Sequence, residues 1–264
     1  MNNFKKFNYG ICLLTNSKGG VGKTTLTLNL INVLSQLDKK IIVFDIDPQA
    51  NLSRALLSNY TSKKNIELWF KNSDEKELLN SIEKTNLTNV YIIPAYSNIV
   101  LETNNSVTAK SMSELILKNN LIKMKKQWKD KIDYIFFDSF PSMNKILLSV
   151  LLASDEIIIP IEPHKFSYEG FKTISEPYES AIKTLNEVGL NIKNNMNYFL
   201  INKVQRNKTH EAVIDILRDT DIGNKMLNTM IPLSKVKQRE TMLMKFSSIT
   251  QKNPIGILIK RHIP

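Results

Sequence analysis

Glycines, lysines and threonines are concentrated in residues 17–25, which read Ser-Lys-Gly-Gly-Val-Gly-Lys-Thr-Thr. Glycines let backbone N–H groups turn inward around an anion, and a helix that starts here would add the partial positive charge of its N-terminus. The Lys23 ammonium can reach the outer phosphates of a nucleoside triphosphate, and the Thr24 hydroxyl can ligate Mg²⁺. The stretch therefore predicts a loop that binds a nucleotide together with its metal ion.

The elements on either side of this loop support that prediction. The apolar residues 11–14 predict a buried strand, and helical spacing over residues 25–37 is seen at Leu26, Leu30, Leu34 and Leu37. The general phosphate-loop pattern has glycine where this chain has Ser17. A glycine-rich turn with two solvated lysines is the simpler alternative, but the order of strand, glycines, lysine, threonines and helix favours the phosphate site.

Carboxylates end two further apolar runs. Asp45 and Asp47 follow residues 41–44, and Asp138 ends residues 133–138. Open α/β sheets bind ligands at the carboxyl ends of their strands, and a carboxylate there can lie near a metal ion, usually through water. The alternative for Asp45 and Asp47 is a turn or a helix cap.

Strand patterns alternate with helix patterns along the rest of the chain, which favours a mostly parallel sheet with helices on both faces. Further strands are predicted at residues 89–94, 153–163, 198–203 and 226–232. Further helices are predicted at residues 111–128, 209–219 and 241–250.

Two of these stretches together resemble the ParA/MinD family of ATPases, which carry a deviant Walker A phosphate loop. The match lies in residues 18–25 and in residues 45–51, which follow the family pattern D-x-D-P-Q-x-N. The resemblance implies the α/β fold of a P-loop NTPase, Mg²⁺-dependent hydrolysis of ATP, and one domain over residues 1–264. It implies that ATP contacts Lys18, Gly19, Gly20, Val21, Gly22, Lys23, Thr24 and Thr25.

The resemblance also assigns roles to single residues. Lys18 would cross a dimer interface to the partner's nucleotide, and Asp47 would help to position the attacking water, so both are expected to be catalytic. Asn202 would bond adenine, although a polar residue that ends a strand is an equally good interpretation. The Mg²⁺ ion is expected near Thr24, Asp45 and Asp138.

Two segments depart from the family pattern or invite another interpretation. The family continues D-x-P-P after its strand aspartate, whereas Phe140 replaces one proline here, so the switch segment is expected to behave atypically. Glu162 and His164 could form an acid/base pair. Loop residues beside the site are the preferred interpretation, since no third member or metal-ligand spacing accompanies them.

Composition excludes some classes of protein. The 264 residues include 42% hydrophobic and 23% charged residues, which fits one large globular domain. Cys12 is the single cysteine, so an internal disulfide is excluded, as is a redox ATPase that bridges an iron–sulfur cluster. No signal peptide or membrane-spanning run is recognised, and a cytoplasmic protein is therefore expected.

The formal net charge is +11, and the excess is concentrated in residues 195–264, which hold twelve lysines and arginines against five acidic residues. An anionic partner, either nucleic acid or an acidic membrane face, is one interpretation, and a solvated basic surface is the other. Soj-like members of the family bind DNA through basic residues in two late segments. The resemblance places these contacts at Arg206, Lys235, Lys237 and Arg239.

Two functions within the family compete. A ParA/Soj-like partition ATPase forms ATP-dependent homodimers, binds nonspecific DNA on the nucleoid and is stimulated by a centromere-binding, ParB-like partner. A MinD-like membrane-positioning ATPase needs an amphipathic C-terminal helix, and the candidate at residues 255–263 is short and weakened by Pro254 and Gly256. The Asp-Pro-Gln-Ala-Asn sequence and the basic last quarter favour partition, without an N-terminal helix-turn-helix domain and without stable membrane association.

Overall fold

The computed structural model describes residues 10–60, 66–96, 100, 102–105, 112–164 and 167–233, with residues 167–169 described by their backbone alone. Its strands are β1 (Gly10–Leu14), β2 (Ile41–Asp45), β3 (Glu83–Lys84), β4 (Val90–Ile93), β5 (Tyr134–Asp138), β6 (Glu156–Ile161) and β7 (Met196–Ile201). They form one sheet in the order β3-β4-β2-β5-β1-β6-β7. Neighbours are parallel except β3 and β4, which are antiparallel.

Helices connect most of these strands. They are α1 (Lys23–Gln36), α2 (Asn51–Leu56), α3 (Glu75–Asn80), α4 (Ile116–Trp128), α5 (Lys145–Ala153), α6 (Ser167–Glu187) and α7 (Lys208–Arg218). Short 3₁₀ turns lie at Ile66–Phe70, Ser113–Leu115 and Gly223–Lys225. The long connections between parallel strands are therefore helical crossovers, as parallel pairing requires.

Two apolar cores lie on opposite faces of the sheet, because alternate residues of a strand point to opposite sides. On one face Cys12 and Leu14 of β1 pack with α1 and α2. On the other face Ile11 and Leu13 pack with residues of α4, α5, α6 and α7. The predicted mostly parallel sheet with helices on both faces is confirmed.

The register of the central strands sets the level of the loops that follow them. Asp45 at the end of β2 lies beside Asp138 at the end of β5, and Leu14 at the end of β1 also lies beside Asp138. The loops that follow β1, β2 and β5 therefore start side by side at one edge of the sheet.

Three of the predicted elements differ from those in the structure. The first helix begins at Lys23, two residues earlier than predicted. The helix predicted over residues 111–128 starts at Ile116, since Met112 has a left-handed backbone (φ 56°) and a 3₁₀ turn follows it. The late strand predicted over residues 226–232 is wrong: only isolated bridges at Met226 and Pro232 form there. The last predicted helix lies outside the described residues.

Phe44 belongs to the larger core, and its replacement tests the packing. Its buried ring meets Trp69 edge to face at 4.8 Å between centroids and stacks on Phe137 at 4.6 Å. Phe44→Ala should lower the free energy of unfolding by about 3–5 kcal/mol, measured by urea denaturation. The control Ile122→Ala removes a side chain that is 43% exposed and should change it by less than about 0.5 kcal/mol. Equal losses in both variants would contradict this packing.

Candidate functional site

Two glycines in the loop between β1 and α1 have backbone conformations that L side chains rarely adopt. The φ angle is +77° at Gly20 and +95° at Gly22. A Cβ atom at Gly22 would lie 2.6 Å from Asn202 Nδ2, which is well inside van der Waals contact. The Gly22 carbonyl accepts the first helical hydrogen bond, from Leu26 N at 2.8 Å. Position 22 therefore requires glycine both for its φ angle and for its lack of a side chain.

The end of β7 holds one wall of this loop. Asn202 is buried, and its Nδ2 donates to the Val21 carbonyl at 2.7 Å. Lys203 Nζ donates to the Gly20 carbonyl. The loop is thus fastened to a strand that lies about 180 residues further along the chain.

Ser17 stands where the general phosphate-loop pattern has glycine, and its side chain makes a contact that glycine could not make. Its hydroxyl donates to the Gly170 carbonyl in the first turns of α6, and a Cβ at Gly170 would lie 3.1 Å from that hydroxyl. Next to it, Asn16 Nδ2 donates to the Pro160 carbonyl at 2.8 Å. The serine therefore ties the start of the loop to α6, and a small residue at 170 lets the two segments approach.

Lys23 lies beneath the loop and is almost fully buried. Its ammonium donates to the Asn16 carbonyl at 3.0 Å and to the Lys18 carbonyl at 3.3 Å. Burial lowers the pKa of Lys23, while the negative charges of Asp138 and Asp47 oppose that change. An ammonium has three hydrogens, so these two carbonyls leave one for a phosphate oxygen.

Asp45 and Asp138 are both fully buried, yet their carboxylates have very different partners. Asp45 accepts hydrogen bonds on both oxygens, from Asp47 N at 3.1 Å and from the N and Oγ of Ser53 at 2.8 and 2.6 Å. Asp138 Oδ1 accepts a long bond of 3.5 Å from Thr27 Oγ1. Its Oδ2 has no hydrogen-bond partner among the described residues.

The unpartnered oxygen of Asp138 is the feature that fits a metal ion. A buried polar atom without a partner costs free energy unless a ligand supplies the missing interaction. The Thr24 hydroxyl lies near the Asp138 carboxylate, since it lowers the pKa of that group. In nucleotide sites Mg²⁺ commonly takes one or two protein oxygens plus phosphate oxygens and water. Thr24 and Asp138 together supply such a pair, and Asp45 is largely occupied by its own donors.

The pKa values of both carboxyls are raised. Burial raises the pKa of Asp45 to about 6, and the hydrogen bonds from Ser53 and Asp47 act in the opposite direction. Burial and the adjacent Asp45 charge raise the pKa of Asp138 well above its usual value, whereas Thr24 and Lys23 lower it. This edge of the sheet therefore holds negative charge at a cost that a bound cation would relieve.

Asp47 lies half-buried in the turn that follows β2. Its Oδ1 accepts a hydrogen bond from Gln49 N at 2.8 Å, and its carbonyl accepts one from Ala50 N at 2.8 Å. The turn predicted as an alternative for this residue is therefore present. The negative charge of Asp47 also opposes the lowering of the Lys23 pKa by burial.

Lys18 belongs to a cluster of charges at the mouth of the site. Its Nζ lies 3.8 Å from Glu162 Oε2, and Lys203 Nζ lies 2.5 Å from Glu162 Oε1. His164 Nε2 lies 3.5 Å from Glu162 Oε2. Sequence reasoning placed Glu162 beside the site without a role and missed Lys203, whose only signal was its position directly after Asn202. The lysines on Glu162 favour the loop interpretation over an acid/base pair.

The remaining predicted residues fall in three places. The Asn202 amide bonds the loop, and its predicted adenine contact stays a prediction. Phe140 is buried in the segment after β5. Arg206 is exposed in the turn before Asn207, the N-cap of α7. The other basic residues predicted to contact DNA lie outside the described residues; they are Lys235, Lys237 and Arg239.

The raised pKa of Asp138 makes a testable statement about stability. Its folded-state pKa exceeds the unfolded value, so the folded state loses stability as pH rises through the interval between them. Asp138→Asn removes this charge and should raise the Tm of the nucleotide-free protein at pH 8 by several degrees, with a smaller gain at pH 5. Thermal unfolding without Mg²⁺ is the measurement, with the exposed Glu176→Gln as control. A lower Tm at pH 8 would contradict the proposed cost of this charge.

Comparisons with known proteins agree with this geometry. Residues 10–197 match a family model described as an AAA domain. The sporulation initiation inhibitor protein Soj of Bacillus subtilis is 31% identical over 178 residues, which cover 67% of each chain. The chromosome-partitioning ATPase Soj of Treponema pallidum is 29% identical over 223 residues, which cover 83% of this chain and 81% of the relative.

Solved structures give the same fold. A plasmid partition protein from Borrelia burgdorferi bound to AMPPNP has a TM-score of 0.69 at 25% identity and covers 95% of this chain and 97% of that one. A Cyanothece McdA complex with ATP has a TM-score of 0.78 at 16% identity, covers 97% of this chain and 96% of that one, and supports the fold alone. From the matched family model and the Soj relatives, we conclude that this chain belongs to the ParA/Soj-like partition ATPases.

Proposed function

We propose that this chain binds ATP and Mg²⁺ at residues 18–25, hydrolyses the ATP and, as an ATP-dependent homodimer, binds DNA nonspecifically. The observation that supports the chemistry best is the meeting of the glycine loop, the buried Lys23 ammonium and the unpartnered Asp138 oxygen at one edge of the described sheet. A nucleotide with its cation supplies phosphate oxygens for the loop and for Lys23. It also supplies positive charge for Asp138.

The roles of the residues follow from their positions. The backbone N–H groups of the loop and the Lys23 ammonium bind the phosphates, and Thr24 and Asp138 hold Mg²⁺ directly or through water. When bound, Mg²⁺ neutralises charge that develops on the transferred phosphoryl group. Asp47 orients the attacking water with the acceptor capacity that remains beside its bond to Gln49 N.

Lys18 is suited to a role in a dimer. Its side chain is 38% exposed, and its ion pair with Glu162 is long, at 3.8 Å. Glu162 keeps its shorter ion pair with Lys203 at 2.5 Å, so its charge remains paired when Lys18 leaves it. A two-fold dimer would place the Lys18 of each chain at the nucleotide of the other, because such interfaces use the same patch on both subunits.

The wider assignment rests on the relatives. Named relatives are chromosome-partitioning proteins, and a structural neighbour is a plasmid partition protein. We infer that residues 1–264 act as a single ATPase domain, on the nucleoid in the cytoplasm. A centromere-binding, ParB-like protein would stimulate hydrolysis.

The alternative function is that of a membrane-positioning ATPase, and the DNA-binding experiment below distinguishes the two. In the part of the chain that the structure describes, no helix has both the length and the apolar character to cross a bilayer. The C-terminal segment that would have to bind a membrane surface, residues 255–263, lies outside that part.

Separating binding, assembly and hydrolysis tests the catalytic proposal. Asp47→Ala should retain ATP affinity within about threefold and slow turnover by about 10²-fold or more, because the water loses its orienting carboxylate. ATP should then shift this variant from monomer to dimer in sedimentation. Adding Lys18→Ala should abolish the shift while ATP still binds. Dimerisation that ignores both ATP and Lys18 would contradict the shared site, and failure of Asp47→Ala to bind ATP would contradict the assigned role.

Salt-dependent DNA binding tests the partner. DNA binding should require ATP and should not depend on the DNA sequence. The affinity for DNA should fall as salt rises, because basic residues neutralise phosphates. Replacing Arg206 and Lys237 by alanine should weaken binding to all sequences alike and reduce the salt slope by about one for each phosphate that is no longer neutralised. Gel shifts with ATP and with ADP measure this.

A matched control for the DNA experiment is Arg218→Ala, at the opposite end of α7, where Arg218 pairs with Asp215 at 3.1 Å. It should leave DNA affinity unchanged. Retention of DNA by the Arg206/Lys237 variant would move the contact surface elsewhere. No DNA binding with ATP at low salt, together with ATPase stimulation by anionic liposomes, would favour the membrane function.

A further inference from the structure

Ser53 connects three segments of the described fold through one hydroxyl group. It is the third residue of α2, and its side chain is fully buried. Its Oγ donates to Asp45 Oδ2 at 2.6 Å and accepts a hydrogen bond from Ala95 N at 3.0 Å. The Ser53 backbone N also donates to Asp45 Oδ2, at 2.8 Å. The end of β2, the start of α2 and the segment after β4 therefore meet at this serine.

Asp45 passes this constraint to the turn that carries Asp47. Its second oxygen, Oδ1, accepts a hydrogen bond from Asp47 N at 3.1 Å. A second fixed point precedes Asp47, since Ile46 N donates to the Asp138 carbonyl at 3.0 Å and the Ile46 side chain is buried. The position of the Asp47 backbone thus depends on a buried carboxylate whose orientation Ser53 determines.

We propose that Ser53 is a positioning residue for hydrolysis, which acts on Asp47 through Asp45. The inference rests on the proposed function, in which Asp47 orients the attacking water. Asp45 accordingly contributes mainly by fixing the turn, and metal binding falls to Thr24 and Asp138. The contrast between the two neighbouring carboxylates supports this division, because Asp45 has three donors and Asp138 Oδ2 has none among the described residues.

The expected effect is on the rate of the chemical step. A displacement of about 1 Å at a reacting geometry can cost about 10²-fold in rate. Ser53→Ala removes a donor to Asp45 and leaves the buried Ala95 N without its acceptor, so the turn should loosen. The loop of residues 18–25 makes no contact with Ser53 in the hydrogen bonds described above, so ATP affinity should change little.

The first experiment compares matched serine variants in single-turnover ATP hydrolysis. Ser53→Ala should slow hydrolysis by about tenfold or more with ATP affinity and Mg²⁺ half-saturation within about threefold of wild type. Ser149→Ala is the control: that serine is also fully buried, but its Oγ bonds the Lys145 carbonyl within α5. It should hydrolyse ATP at the wild-type rate. Ser53→Thr keeps the hydroxyl and should recover most of the lost rate.

A double-mutant cycle separates positioning from general damage. If Ser53 acts through Asp47, then Ser53→Ala should cause no further slowing in an Asp47→Ala background. Amide hydrogen exchange provides a readout without nucleotide: Ser53→Ala should lose protection over residues 46–50, and Ser149→Ala should not.

The outcomes distinguish the two levels of proposal. Absence of ATP turnover in the wild-type protein would overturn the proposed function and the positioning role of Ser53 with it. If the wild-type protein hydrolyses ATP, three results would contradict the Ser53 inference alone. These are a wild-type rate in Ser53→Ala, further slowing by Ser53→Ala in the Asp47→Ala background, or a requirement for about tenfold more Mg²⁺ in Ser53→Ala.

Discussion

Two carboxylates buried side by side determine the organisation of the carboxyl edge of the sheet. The register of β2 with β5 leaves Asp45 and Asp138 adjacent and without exposure to solvent. Burial raises the pKa of both carboxyls, and the Asp45 charge raises that of Asp138 further. Donors from the turn after β2 and from the start of α2 contact Asp45, and Thr27 and the Lys23 charge act on Asp138. A fold with apolar residues at these two positions would have no comparable demand for donors or cations.

The two carboxylates meet this constraint in different ways. Asp45 is satisfied within the protein by donors from its own turn and from the start of α2. Asp138 is only partly satisfied, by the long bond from the Thr27 hydroxyl and by the Lys23 charge. One carboxylate therefore stabilises local structure, and the other keeps a capacity for an external cation. Asp45 thus holds the turn after β2 in place, and Asp138 has an oxygen that can still accept a ligand.

Much of the fold and part of the site could be predicted from sequence. Apolar runs identified the central strands, since strands covered on both faces carry little alternation, and the glycine loop with its lysine was recognisable from residue types alone. The two-residue strand β3 was not predicted, because so short an element has no period. The error at residues 226–232 arose because residue types alone do not show whether a pairing partner is present, and only isolated bridges form there.

The contacts that fasten the site could not be read from the chain. The bond of Ala95 N to Ser53 and the ion pair of Lys203 with Glu162 join residues that are distant in sequence, and nothing in their local sequence indicates the partner. Asn202 shows the same limit, since its amide bonds the loop backbone in a way that its position at a strand end does not reveal. Motifs thus predicted which groups would face a ligand and gave no information about the groups behind them.

The close approach of Gly22 and Asn202 has an evolutionary consequence. Any side chain at position 22 would displace the Asn202 amide, and a smaller residue at 202 would remove that collision. The φ angle of +95° would still penalise every L residue at position 22. A change at position 202 therefore cannot make another residue acceptable at position 22. In related sequences that keep the loop, we expect position 202 to vary as far as its contact with Val21 allows. Position 22 should remain glycine.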